Sequence, residues 1–436
     1  MESDETEEQN ARIRISGRPD LDVGCGLLST GVVSSNKPAF GESGVANDRR
    51  LKILHIAGWY PSKKDPVAGV FVLEHVKATG LYNDVAVLYA EGIDKEIRSF
   101  YQIEDNMEDG IRTLRVRYRK SPIPKTTYFI YLWTMFAAFR KLLREGWWPD
   151  VIHAHVYSAG VPAVLLGKRY CIPVVITEHF SGFPRGMVRG VSRLMAKFAF
   201  ERAALVCPVS EDLRGHIERL GIRARFLVVP NVVDTSLFFP PQETARGRDG
   251  RKRLLTVAHL GPIKGIPYLL EALAILRAKR SDFVLDIVGD GPQRAEYEEL
   301  ARRLGLQDLV RFHGRLKKPE IAEFMRRADL FVLPSVWENL PCVIIEAMAS
   351  GLPVVATSVG GIPEIVNDEV GRLVPPKDAG ALAEAITDVL ACSGRYEAHR
   401  LAFYARERFS YKVVGRMLSE VYQTVQATAE RSTRGA

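Results

Sequence analysis

The sequence lacks any stretch able to cross a bilayer as a helix. Its longest apolar run, Tyr128 to Phe139, is broken by Thr134 and falls well short of the roughly 20 residues a span requires. A cysteine framework is lacking too. Five cysteines (Cys25, Cys171, Cys207, Cys342, Cys392) are scattered without C-x-x-C spacing, which argues against a zinc site or disulfide lattice and fits a reducing cytoplasm. Five of the first eight residues are acidic, so a chain without a signal peptide is expected. No zinc finger or RNA-recognition aromatic motif is present, which makes nucleic acid the weakest candidate partner.

What is present suggests two domains. The chain has 436 residues and 47% apolar content, enough for two buried cores. Residues 1–50 are rich in Gly, Ser, Asp and Glu without sustained periodicity, and read as a disordered extension. Gly24-Cys-Gly26 within them lacks the third glycine of a dinucleotide fingerprint. The net charge of +8 is uneven: residues 51–230 carry 26 Lys and Arg against 17 Asp and Glu. A basic first half suits an anionic membrane or an acidic substrate.

From Leu51 onward β-branched runs alternate with amphipathic helical stretches. The first half offers strands at 51–57, 85–89, 112–116, 151–155, 174–177, 205–209 and 226–229. The second offers 253–258, 283–288, 310–313, 330–333, 353–356 and 372–374. Repeated βα units imply an α/β chain with parallel sheets and helices on both faces. The polar stretch Pro240 to Gly250 reads as the linker, which sets domains at 51–235 and 252–410. Two doubly wound domains then face each other across a cleft.

Ser335-Val-Trp-Glu-Asn-Leu-Pro-Cys-Val-Ile-Ile-Glu346 is the most informative stretch. It follows the strand Leu330–Leu333, so Glu338 belongs at a strand's carboxyl end, ahead of a helix expected to start near Pro341 and stop at Gly351. Open α/β sheets bind ligands there, and a helix amino terminus favours phosphate. Glu346 lies further along the helix, in reach of a polyol such as ribose. Two surface glutamates on a solvated helix remain the plainer alternative.

Val257-Ala-His-Leu-Gly-Pro-Ile-Lys-Gly265 likewise follows a strand and opens a helix near Ile266, so Lys264 could set its ammonium on a diphosphate. Spacing alone would leave it a surface lysine. Val288-Gly-Asp-Gly-Pro292 and His313-Gly-Arg-Leu316 end two further strands. In the first half, a loop from Gly58 reaches Gly69, which opens a helix. Asp150-Val-Ile-His-Ala-His155 and Thr177-Glu-His179 close two strands there.

Glu338-x7-Glu346 with the Ala-Met-Ala-Ser-Gly-Leu-Pro that follows resembles the E-x7-E motif of the retaining GT-B glycosyltransferases of family 4. The likeness covers about residues 51–427 and implies the GT-B fold: two Rossmann-like domains facing across a cleft, with a final helix near 411–427 returning to the first. It implies a nucleotide-sugar donor, UDP- or GDP-linked, no required metal, and a glycan or lipid-linked acceptor in polysaccharide or glycolipid synthesis. Catalytic roles carry over to Glu338, Lys264 and His179. Donor contacts carry over to Glu346 (ribose), Asn339, Leu340, His259, Arg315 and Gly69. His153 and His155 read as structural. One departure stands out: His259 occupies the position of the family's arginine, which removes a permanent charge and a bidentate fork. Asp20-Leu-Asp22 matches the metal-binding D-x-D of another glycosyltransferase fold, but it sits in the polar tail and reads as coincidence.

Two alternatives stay open. One is a phosphorylase or synthase with a small soluble acceptor; the other is a sugar-nucleotide-binding scaffold without turnover, which His259 keeps alive. Arg185, Arg189, Arg193 and Lys197 recur every four residues beside Met187, Val191 and Leu194, and Tyr128–Arg144 mixes aromatics with basic residues. Such helices either pack on the sheet or meet an anionic membrane, giving a cytoplasmic protein with peripheral membrane contact.

Overall fold

The computed structural model describes residues 49–62, 65–94, 99–241 and 250–434. The expected disordered extension, its D-x-D and Gly-Cys-Gly words, and most of the expected linker lie outside the described residues. The strands are β1 Lys52–Ala57, β2 Asp84–Ile93, β3 Tyr101–Glu108, β4 Ile111–Arg119, β5 Val151–His155, β6 Val174–Glu178, β7 Leu205–Pro208, β8 Lys252–Val257, β9 Phe283–Val288, β10 Val310–Gly314, β11 Leu330–Leu333, β12 Val354–Thr357 and β13 Gly371–Val374. The helices are α1 Val70–Gly80, α2 Pro124–Arg144, α3 Tyr157–Tyr170, α4 Gly190–Phe200, α5 Glu211–Arg219, α6 Ile266–Arg277, α7 Arg294–Arg303, α8 Lys318–Arg327, α9 Cys342–Ala349, α10 Ile362–Ile365, α11 Ala379–Ala391, α12 Ala398–Phe409 and α13 Tyr411–Arg434.

Two sheets result. The first has the order β3-β4-β2-β1-β5-β6-β7, the second β10-β9-β8-β11-β12-β13. All neighbours are parallel except β3 and β4. Setting β3 aside, both sheets reverse their winding beside the first strand: between β1 and β5, and between β8 and β11. A crevice opens at such a reversal, at the carboxyl ends of the strands. The words that drew attention in the sequence end on those strands. Strands buried on both faces, such as Phe283–Val288 and Leu330–Leu333, show why unbroken apolar runs rather than alternation marked the sheets. Helix α13 returns to the first sheet's side, where Val414, Leu418 and Tyr422 pack with Leu51, Ile53 and Ala78.

Three expectations need correction. Strand β3 was missed: its sequence is largely polar, and Arg112–Asp105, Arg115–Glu108 and Arg117–Glu104 pairs add to its backbone ladder with β4, while only Tyr101 and Ile103 pack on the core. The Asp109-Gly110 turn, with both residues at positive φ, was the available hairpin signal. The expected strand 226–229 makes a single bridge, Phe226 to Val206; Pro208 and Pro230 beside it have no N–H to extend a ladder. The helix expected to start near Pro341 is in place: α9 begins at Cys342 with Pro341 as its cap. The basic stripe does not share a helix face. Gly186 and Gly190 take φ 63° and 52°, so Arg185 lies in a turn, Arg189 caps α4, and only Arg193 and Lys197 are helical.

Candidate active site

The second sheet supplies a cation and an anion from the two strands flanking its reversal. After β8, Pro262–Lys264 form a 3-10 turn and Gly265 caps α6 at φ 65°. A β-carbon at Gly265 would collide with the Pro334 carbonyl, so glycine lets this turn lie against the loop after β11. The approach brings Lys264 Nζ to 2.6 Å from Glu338 Oε1. The Ser335 hydroxyl donates to the same oxygen at 2.8 Å. Side-chain exposures of 21% and 9% shield the pair from solvent screening. Just beyond, α9 begins without a side-chain cap, leaving its first amides and the positive end of its dipole for an anion.

Glu346 lies one helix turn further into a buried charge cluster. Lys318 Nζ at the start of α8 sits 3.2 Å from Glu346 Oε1 and 3.0 Å from Glu74 Oε1. Glu74 belongs to α1 in the first half of the chain, so this lysine ties the two halves together. The Tyr411 hydroxyl donates to the other Glu74 oxygen. Burial works against the charged lysine, but the two carboxylates outweigh it and hold its pKa above the ordinary value. Burial also pushes Glu346 upward, against Lys318. Neither Lys318 nor Glu74 was picked out from the sequence.

The first sheet faces this pair with His179. Its backbone carbonyl accepts from Asn339 Nδ2 at 2.7 Å, while Asn231 Nδ2 donates to the Leu340 carbonyl at 2.7 Å. Thus Asn339 and Leu340, expected at the donor, are also the stitches across the cleft. Burial and the neighbouring His75 hold the His179 pKa well below the ordinary histidine value, opposed in part by the Asn231 side chain; His179 Nδ1, Asn231 Oδ1 and Asn339 Oδ1 are buried without hydrogen-bond partners. Three unpartnered polar atoms around one histidine suit a hydroxyl-rich ligand. Glu178 accepts from the amides of Tyr157, His179 and Phe180 at 2.7–2.8 Å and so fixes the loop that carries His179. Burial pushes its pKa up to about 7 against those three amides.

Behind His179 lie four more histidines, His55, His75, His153 and His155, all buried. Ring nitrogens of His55, His153 and His155 come within 4.8 Å of one another, close enough to hold a metal. Each of those nitrogens already has a partner: Thr79 and His155 for His55, Tyr422 and Thr177 for His153, His55 and His179 for His155. The set reads as a hydrogen-bonded network. Other expected residues stand further out. His259 is exposed, and its ring makes no hydrogen bond or ion pair among the described residues. Arg315 is half exposed, 4.0 Å from Asp65 of the loop before α1. Gly69 caps α1 at φ 68°.

The chain is similar to known proteins. Residues 242–408 match the family described as glycosyl transferases group 1, and residues 81–232 match the glycosyl transferase 4-like domain. A glycogen synthase of Mycobacterium tuberculosis is 31% identical over 292 residues, covering 64% of this chain and 69% of that protein. The chain belongs to the GT-B family 4 glycosyltransferases. A putative teichuronic acid biosynthesis glycosyltransferase of Bacillus subtilis is 28% identical over 411 residues, 86% of this glycosyltransferase and 94% of its own length. Among solved structures, sucrose-phosphate synthase from Thermosynechococcus elongatus superposes with a TM-score of 0.70 at 23% identity, covering 87% of this chain and all of that one. Anabaena HepE in complex with UDP-glucose gives 0.66 at 22%, covering 86% and 100%. These structural likenesses establish the fold of the glycosyltransferase, two sheets with their reversals facing one cleft.

Proposed function

We propose that this glycosyltransferase is a retaining enzyme that takes a sugar from a UDP- or GDP-linked donor and gives it to a glycan or lipid-linked acceptor. The observation that carries the reading is the Lys264–Glu338 pair at the amino terminus of α9. A diphosphate competes with Glu338 for Lys264 and draws on the α9 dipole, while the freed carboxylate accepts from sugar hydroxyls. Glu346 holds the ribose, Asn339 and Leu340 offer backbone amides, and His179 faces the transferred sugar.

In the reaction, the bond from the anomeric carbon to the diphosphate breaks as the acceptor oxygen bonds to that carbon from the same face. The acceptor proton passes to a phosphate oxygen. Charge developing on the leaving diphosphate is met by Lys264 and the helix end, so the proposed chemistry calls for no metal. The HepE complexes with UDP, with UDP and glucose, and with UDP-glucose support a donor of this class. His259 leaves this diphosphate site with one permanent cation fewer than the family pattern.

A panel of UDP-, GDP- and ADP-sugars with glycan, extracted-lipid and small soluble acceptors tests the reading. A product with the donor's anomeric configuration on a glycan or lipid supports it. An inverted product, or turnover confined to a small soluble acceptor or to phosphate, contradicts it.

We also propose peripheral contact with an anionic membrane on the cytoplasmic face. Met187, Val191 and Leu194 are exposed beside Arg189, Arg193 and Lys197, and Phe129 and Trp133 are exposed on α2. Among the described residues no helix is long and apolar enough to cross a membrane. Flotation with anionic liposomes is expected to weaken in the double variant Arg189→Glu/Arg193→Glu; equal flotation would remove this surface from the account.

A further inference from the structure

The histidine network behind His179 has a direction, set at its far end. Thr79 lies in the last turn of α1, and its hydroxyl donates to the Val76 carbonyl at 3.0 Å, the back-bond typical of helical threonine. With its proton committed there, Thr79 Oγ1 meets His55 Nε2 at 3.0 Å as an acceptor. His55 must therefore carry its proton on Nε2. Its Nδ1 is then a bare acceptor 3.0 Å from His155 Nε2, which must donate. The same step repeats over a longer 3.4 Å contact between His155 Nδ1 and His179 Nε2. His179 is left with an unprotonated Nδ1, the atom that is buried without a partner.

The logic needs each ring to hold one proton. Burial supplies that condition: it lowers His55 to about 3 and holds His155 and His179 well below the ordinary histidine value. The opposite polarity would follow if Thr79 donated to His55. Every proton would shift along the row, and His179 Nδ1 would become a donor. A single hydroxyl thus decides which hydrogen bond His179 offers.

We propose that Thr79, His55 and His155 are positioning residues that fix the tautomer of His179, so that its Nδ1 is a hydrogen-bond acceptor for a hydroxyl of the transferred sugar. The proposal rests on the reading that His179 faces that sugar. A neutral acceptor there accepts a hydrogen bond from a sugar hydroxyl while the hydroxyl oxygen stays available to an amide donor such as Asn231 or Asn339. The relay touches no substrate itself.

The first test needs no variant. Long-range proton–nitrogen NMR of the protein labelled with ¹⁵N-histidine should show His55, His155 and His179 all neutral with the proton on Nε2. Any of the three protonated on Nδ1, or charged at neutral pH, overturns the relay. Thr79→Val keeps the shape and removes the hydroxyl. It is expected to raise the KM for the nucleotide-sugar roughly fivefold to tenfold, about one neutral hydrogen bond, while leaving the Kd of the free nucleoside diphosphate within about twofold. Thr79→Ser should restore the wild-type KM. Equal loss for both ligands, or no loss for either, contradicts the proposal. His179→Ala separates the underlying reading: if it fails to weaken the nucleotide-sugar relative to the nucleoside diphosphate, His179 does not face the sugar, whatever the NMR result says of the relay.

Discussion

Lys318 bears on stability and, through Glu346, on the proposed donor site. Its ammonium stands between Glu74 and Glu346, whose side chains are each 7% exposed, so it is what allows two buried carboxylates to lie near one another. Lys318→Met keeps most of the volume and leaves them uncompensated. Breaking a buried pair in this way costs about 3–5 kcal/mol. A clear fall in Tm and a raised KM for the nucleotide-sugar are expected, with Glu74→Gln in the same background recovering part of the stability. An unchanged Tm would mean that the cluster contributes little. Lys264 and Glu338 were legible in the sequence because each follows a strand within a few residues. Lys318, Glu74 and Asn231 were not, because their partners come from distant parts of the chain that only the folded cleft brings together. His259 was legible as a departure, and the structure leaves it exposed.

At the scale of elements, the strand ends carry the proposed chemistry and the cost. His55, His153 and His155 sit on β1 and β5, and His75 on α1 packs beside them, all buried and held neutral by desolvation. An unfolded histidine takes up a proton near pH 6.5, whereas folded His55 resists until about pH 3. The stability tied to these rings is therefore full above pH 6.5 and falls as pH drops toward the folded values, by roughly 1 kcal/mol per pH unit for each ring. Glu178, raised to about 7, works the other way: its contribution is present below the ordinary glutamate range and lost as pH rises through about 7. Four rings outweigh one carboxylate, so Tm should drop steeply between about pH 6.5 and 5, with proton uptake on unfolding. A flat Tm over that window would contradict the buried neutral network. Elements with an apolar, two-sided pattern were readable in advance. Strand β3 and the start of α4 were not, because cross-strand ion pairs and two left-handed glycines set them rather than hydrophobic period.

For the whole molecule, two sheets wound in the same order put two reversals opposite each other, and the side chains that meet there come from both. Asn339 on His179, Asn231 on Leu340, Lys318 on Glu74, and Glu364 on the amides of Glu211 and Asp212 join the halves across one cleft. Repeated βα units made this architecture readable from the chain alone; the identity of the sugar depends on pocket shape, which no motif encodes. The central claim is that Lys264 and Glu338 form a clamp on an activated sugar that turns over. Acceptor-dependent nucleotide release, measured across the donor panel for the wild type, Lys264→Ala and Glu338→Ala, tests it most directly. The account predicts release by the wild type with at least one nucleotide-sugar and a loss of about 100-fold or more in each variant. Tight donor binding without release in the presence of extracted lipid and glycan acceptors, or variants as active as the wild type, would contradict it.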